Sequence, residues 1–275
     1  MEVIDISGWS ILSQRPSSSN YISPDGRWML KSYLTMGEDE QKIQEADQAI
    51  SKAVFDMGIP TPEPGGLVRL KSGGIGALYQ YIEGKKSLSR AISEDRSLME
   101  PYMKKFVRLG RIIHSTECDT QRFPSIERKL LDRMQQIEEY NDFDKECIRQ
   151  FIGSVPKVTT CLHGDFHPGN FITSAKGDFA IDLGGFAYGS PVYDWGQWFF
   201  MSHYLPEGAI DGVFHMGRAD VMRCWEMSKE GCPFDEYELS CAAGFILLLF
   251  VDFMPGARNA VSMVKQLSPL FKRSF

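Results

Sequence analysis

Apolar and polar positions divide the chain into a strand-rich first third and a helical remainder interrupted by one strand-rich island. Apolar residues alternate over residues 4–12, and two further apolar runs, 21–22 and 28–33, flank the turn Pro24-Asp25-Gly26. A small polar stretch, residues 15–20, separates the first two runs. These features predict a three-stranded antiparallel meander with Lys31 on its third strand. Over residues 38–57 the period becomes helical, with Ile43, Ile50, Val54 and Met57 on one stripe. Gly58 suits a C-cap, and Pro60, Pro62 and Pro64 bar continuation. Strands are expected at 67–70 and 75–82, after which Glu83-Gly84-Lys85-Lys86 breaks the pattern.

Beyond that break, residues 99–114, 126–140 and 144–152 read as helices, as does the chain from Tyr193 onward. Residues 159–187 form the island, with short apolar runs separated by polar, glycine-bearing loops. The expected fold class is α+β, with a small antiparallel-sheet lobe over 1–82 and a mainly helical lobe over 83–275. No internal repeat or low-complexity segment is evident.

Composition narrows the function classes. The chain has 275 residues, 43% of them hydrophobic, and a formal net charge of −6, which argues against duplex nucleic acid as the main partner. None of the six cysteines lies in a C-x-x-C pair, so neither a zinc ribbon nor a thioredoxin-like motif is expected. The opening MEVIDISGW lacks a basic, apolar leader, and the run at 245–251 is far short of a spanning helix. The expected setting is a reducing cytoplasm, with no membrane partner.

The chemistry concentrates in CLHGDFHPGNFITSAKGDFAIDLGG, residues 161–185. Asp165 precedes a predicted hairpin (170–173 and 179–181), Asn170 opens it and Asp182 follows it. Three oxygen-bearing side chains at one end of one hairpin suit phosphoryl transfer, which needs hard ligands for Mg²⁺ and a group to orient the attacking hydroxyl. The H-x-D-x-H cluster of His163, Asp165 and His167 offers a rival reading as a zinc hydrolase, but it leaves Asn170 and Asp182 without a role.

H-G-D-x-x-x-x-N followed by I-D resembles the signature of the aminoglycoside phosphotransferase and choline kinase superfamily, relatives of protein kinases. The resemblance implies a bilobal protein-kinase-like fold. It makes Asp165 the catalytic base, Asn170 and Asp182 the Mg²⁺ ligands, His163 a brace of the loop and Asp194 a buried tether. It further implies that Lys31 meets the nucleotide phosphates. By helical phase its acidic partner is Asp47, although Glu45 is the residue type more usual in the family. Ser17, Ser18 and Ser19 would cover the phosphates, and backbone groups near Gln80 and Ile82 would bond the base of ATP or GTP. Arg108 to Cys118 resembles the family's helix ending in an I-H pair.

The implied partners are a nucleoside triphosphate and a small hydroxyl acceptor whose identity no motif reveals. A nucleotide-binding pseudokinase with a regulatory or scaffold role is the alternative. A protein Ser/Thr kinase is disfavoured, because no D-F-G to A-P-E segment occurs.

Overall fold

A computed structural model describes residues 1–14, 18–33 and 38–246. They form two compact units. One comprises residues 1–85 and 173–184, and the other comprises 86–172 and the chain from 185 onward.

The first unit is built on a six-stranded sheet in the order β1-β5-β6-β4-β3-β2. β1 (Glu2–Ile4) runs parallel to β5 (Pro64–Leu70), pairing Val3 with Arg69. β2 (Ser10–Gln14), β3 (Ser18–Ile22) and β4 (Trp28–Tyr33) form the expected meander, and β4 continues antiparallel onto β6 (Ile75–Gln80). The single strand predicted over 4–12 is instead two strands. Asp5, Ser7 and Trp9 turn the chain between them, with Ser7 N–H donating to Asp5 Oδ1 and Trp9 N–H to the Ile6 carbonyl. Leu30, Val68 and Leu70 form the core of this unit, flanked by Ile4, Ile6, Trp9, Tyr21 and Leu78.

Helix α1 (Glu38–Asp56) packs on β5. Its buried face carries Gln48, Ala53 and Val54, whereas Ile43, placed on the inward stripe by phase, is 57% exposed. Gln48 takes the inward position because its amide serves two strands. Its Oε1 accepts from Gly66 N–H, and its Nε2 donates to the Leu78 carbonyl. A polar side chain is tolerated there because both its ends are paired.

In the second unit, β7 (Lys86–Ser87) leads into α2 (Leu88–Glu94), whose N-terminus is capped by the Ser87 hydroxyl. α3 (Met99–Ser115) buries Met99, Met103, Phe106, Leu109 and Ile113 along one stripe. α4 (Ile126–Gln135) and α5 (Asp142–Ser154) follow, the latter opened by a capping box between Asn141 and Asp144. β8 (Cys161–Leu162) enters the loop carrying Asp165. The hairpin strands are β9 (Phe171–Ser174) and β10 (Gly177–Ala180), of which residues 173–180 belong to the first unit, and Asn170 sits in a 3-10 turn just before them. β11 (Ala187–Tyr188) pairs back on β8.

α6 (Val192–His203), α7 (Glu207–Phe214), α8 (Arg218–Ser228) and α9 (Glu236–Ile246) complete the described chain. α6 packs on α8 and α9. A Cβ at Gly196 would lie 2.7 Å from that of Ala242, so α6 and α9 approach backbone to backbone. The predicted helical character beyond residue 246 lies outside the described residues. Among those described, no helix is long and apolar enough to cross a membrane, and all six cysteines are free thiols.

Candidate active site

The loop of residues 163–170 rests on an aromatic floor. Phe166 stacks 4.5 Å from Phe106 and 5.4 Å from Trp195, and Phe171 meets Phe106 at 5.1 Å. With little freedom below it, the loop is fixed from the side by α6.

Asp194, in the first turn of α6 and 0% exposed, accepts from His163 N–H at 2.8 Å and Gly164 N–H at 3.0 Å. His114 Nε2 lies 2.9 Å from the same carboxylate. A carboxylate only accepts, so that ring nitrogen carries the proton. An acid at this helix end also gains from the helix dipole. Gly164 adopts φ +77°, and a Cβ there would stand 2.1 Å from the Gly185 carbonyl oxygen. Gly164→Ala is therefore expected to cost at least about 2 kcal/mol of stability, read as a lowered urea midpoint.

One turn along the helix, Gln197 is also 0% exposed. Its Oε1 accepts from Phe166 N–H at 2.8 Å, and its Nε2 donates to Asp165 Oδ1 at 2.7 Å. Asn170 Nδ2 donates to Asp165 Oδ2 at 2.8 Å and to the Asp165 carbonyl at 3.0 Å. His163 Nδ1 accepts from Asp165 N–H. His167 Nδ1 accepts from Gly169 N–H, so its Nε2 bears the proton in the neutral ring and stands 3.6 Å from Asp165 Oδ1. Burial alone would raise the Asp165 carboxyl. The attraction of His167 and His163 and the hydrogen bond from Asn170 outweigh it and hold the group at about 2. Its side chain nevertheless keeps 29% exposure, enough to meet a ligand.

His163, Asp165 and His167 do not form a zinc ligand set. His163 packs against Phe171 and His167 against Phe214, and among the described residues no three His, Cys, Asp or Glu side chains gather around a metal position.

A second cluster lies within the first unit. Asp182 follows β10 at φ +58°, a left-handed conformation that Asp tolerates better than most residues, and it is exposed. Lys31 sits on β4 between Asn20 and Ala77. The half-buried Asp47 carboxyl is raised by burial, opposed by Lys31 and reinforced by the like charge of Asp182. A Cβ on Gly184 would lie 3.6 Å from Asp47 Oδ1. The Lys85 amine is lowered by burial and drawn back up by Asp182. Glu45 instead faces solvent and accepts from Gln41.

The remaining predicted positions lie as follows. Ser18 and Ser19 belong to strand β3 rather than to a loop, and Ser19 is buried, paired with Ser32 and Gln14. Ser17 lies outside the described residues. Gln80 N–H donates to the Glu63 carbonyl and Tyr81 N–H to that of Arg27, and Ile82 is buried. Sequence reasoning missed Gln197 and Lys85. Gln197 is three residues after Asp194 and so shares its helix face, a signal that was available. The Asn170 amide nitrogen is committed to Asp165, leaving its carbonyl oxygen, and Asp182, in the first unit, carries an exposed carboxylate; each is a hard oxygen donor.

No curated protein sequence matches the chain. Among solved structures it resembles a thermostable mutant of aminoglycoside phosphotransferase APH(4)-Ia, with TM-score 0.61 and 14% identity over 97% of this chain and 94% of that one. The same enzyme also matches as a ternary complex with AMP-PNP and hygromycin B. Choline kinase LicA from Streptococcus pneumoniae aligns with TM-score 0.56 and 14% identity, covering 95% of this chain and 96% of its own. A choline/ethanolamine kinase family protein from Mesorhizobium loti gives 0.54 and 13%, covering 97% and 88%. These likenesses establish the protein-kinase-like α+β fold. Residues 17–223, well over half of the sequence, match the phosphotransferase enzyme family, and the chain belongs to that family, within the superfamily of aminoglycoside phosphotransferases and choline kinases.

Proposed function

We propose that the protein is a small-molecule kinase moving the γ-phosphoryl group of ATP or GTP to a hydroxyl of a small acceptor. The observation that carries this reading is the Asp165 carboxylate, gripped on both oxygens by neutral amides and still accessible. Such a group is preset in orientation and ionised, as in-line attack by an alcohol requires. A carboxylate held near 2 is too weak a base to deprotonate an alcohol beforehand. Asp165 therefore orients the hydroxyl and takes its proton late, as the bond to phosphorus forms.

Asn170 and Asp182 would hold Mg²⁺, which when bound neutralises charge on the phosphate oxygens. Lys31 would meet the α- and β-phosphates with Asp47 as its acidic partner, and the attraction between the two within the first unit supports this pairing. The Gln80 carbonyl and Ile82 N–H would bond the nucleotide base, and residues around Ser18 and Ser19 would border the phosphates. His163 and Asp194 shape the loop. The ternary complex of APH(4)-Ia supports a nucleotide and a small acceptor as the two substrates.

A panel of aminoglycosides, choline, ethanolamine, amino-alcohols and sugars, read by ADP release, tests the activity. Nucleotide binding without ADP release from any compound would replace the kinase reading with the pseudokinase one. Asp182→Ala is expected to abolish Mg²⁺-dependent nucleotide binding in calorimetry, and unchanged affinity would remove its ligand role.

A further inference from the structure

We infer that Gln197 is a positioning residue for phosphoryl transfer, setting the rotation of the Asp165 carboxylate. The inference rests on the role proposed above for Asp165. Asp165 stands on a loop, and a loop carboxylate held by one contact is free to turn about its last torsion. Here each oxygen has its own amide donor, Gln197 Nε2 at 2.7 Å and Asn170 Nδ2 at 2.8 Å, from different elements. Gln197 cannot present its other end. Its Oε1 is committed to Phe166 N–H at 2.8 Å, and a flipped amide would set oxygen against carboxylate and N–H against N–H. Its backbone is as constrained as its side chain. Trp195 and Trp198 on the same helix pack against Phe106, at 6.3 and 5.9 Å, under the loop. α6 thus transmits its rigidity to the base through one buried amide.

A purely structural Gln197 would matter only through Phe166 N–H, and two substitutions separate the cases. Gln197→Glu keeps an acceptor for Phe166 but replaces the donor to Asp165, while Gln197→Met removes both. Turnover is measured as ADP release from Mg²⁺·ATP with water as acceptor: water oxygen bonds to the γ-phosphorus, the bond to ADP breaks, and a proton is released. At pH 8, Gln197→Glu is expected to lower kcat by roughly 10- to 100-fold with the KM for ATP unchanged. Activity should recover towards pH 6, where a shared proton turns the introduced carboxyl into a donor. Gln197→Met should lose kcat at both pH values.

Equal kcat for Gln197→Glu and wild type at pH 8, or a loss of the same size in both variants at both pH values, overturns the proposal. Crystal structures give an arm that needs no turnover: Asp165 is expected to rotate off its present position in Gln197→Met, and an unmoved carboxylate overturns the proposal. Asp165→Ala serves as the control. If it turns over like wild type, the role of Asp165 is what fails.

Discussion

Asp165→Ala is expected to lower phosphoryl transfer by roughly 10³-fold while Mg²⁺-dependent nucleotide affinity stays close to that of the unaltered protein. The separation follows from where the residue spends its contacts. Its carboxylate binds Gln197 and Asn170, its N–H bonds His163, and its exposed part faces whatever occupies the mouth of the loop. Steady-state kinetics with an acceptor from the panel, beside calorimetric ATP titration, resolves the two quantities. Loss of nucleotide binding in the variant would reassign the residue to the nucleotide.

The same carboxyl sets an expectation for pH. An ordinary aspartate titrates near 4, and this one is held at about 2, so it stays ionised throughout the range in which the protein is handled. Because the folded value is depressed, its contribution to stability is fully present above about 4 and fades as pH falls through 2. The log of kcat/KM should therefore show no acid limb from Asp165 between pH 8 and 5. A limb centred near 6 would point to another group.

Asp194→Ala is expected to destabilise the fold by roughly 3–5 kcal/mol, a large fraction of the ~5–15 kcal/mol typical of a domain. The methyl group would leave His163 N–H, Gly164 N–H and the His114 ring N–H in a dry site with no acceptor. Asp194→Asn keeps one acceptor oxygen and should cost less. Urea unfolding of the two variants gives the order, and equal midpoints for both and the unaltered chain would exclude the tether role. Activity should fall in parallel, because the loop that presents Asp165 is the segment released.

The loop residues were readable because their relation is local. Asp165 and Asn170 are five residues apart in one turn, and spacing alone brings them together. Residues whose setting depends on distant partners were not readable in the same way. Ser18 and Ser19 look like loop residues until Ser19 pairs with Ser32 on β4, a contact no local pattern records. Ile43 fits a helical stripe by phase, yet the sheet takes Gln48 instead, because its amide satisfies two strands at once. For Gln197 the spacing from Asp194 was a signal, but a faint one. Every residue from Val192 to Ser202 is buried, so α6 has no polar face against which a functional amide would stand out. α2 escaped notice because seven residues hold too few periods to register. The α+β class survived these errors, since it rests on the change of period near residue 83 and not on any single strand.

The segment 173–184 belongs to the sheet-bearing unit although its neighbours on both sides belong to the helical one. The backbone therefore crosses from one unit to the other three times, after residues 85, 172 and 184. No contiguous gene fragment encodes the sheet unit whole, and no single proteolytic cut can liberate it. On the ribosome its last segment emerges only after residues 86–172 have been made, so the sheet unit, begun first, stays incomplete until much of the helical unit has already been synthesised.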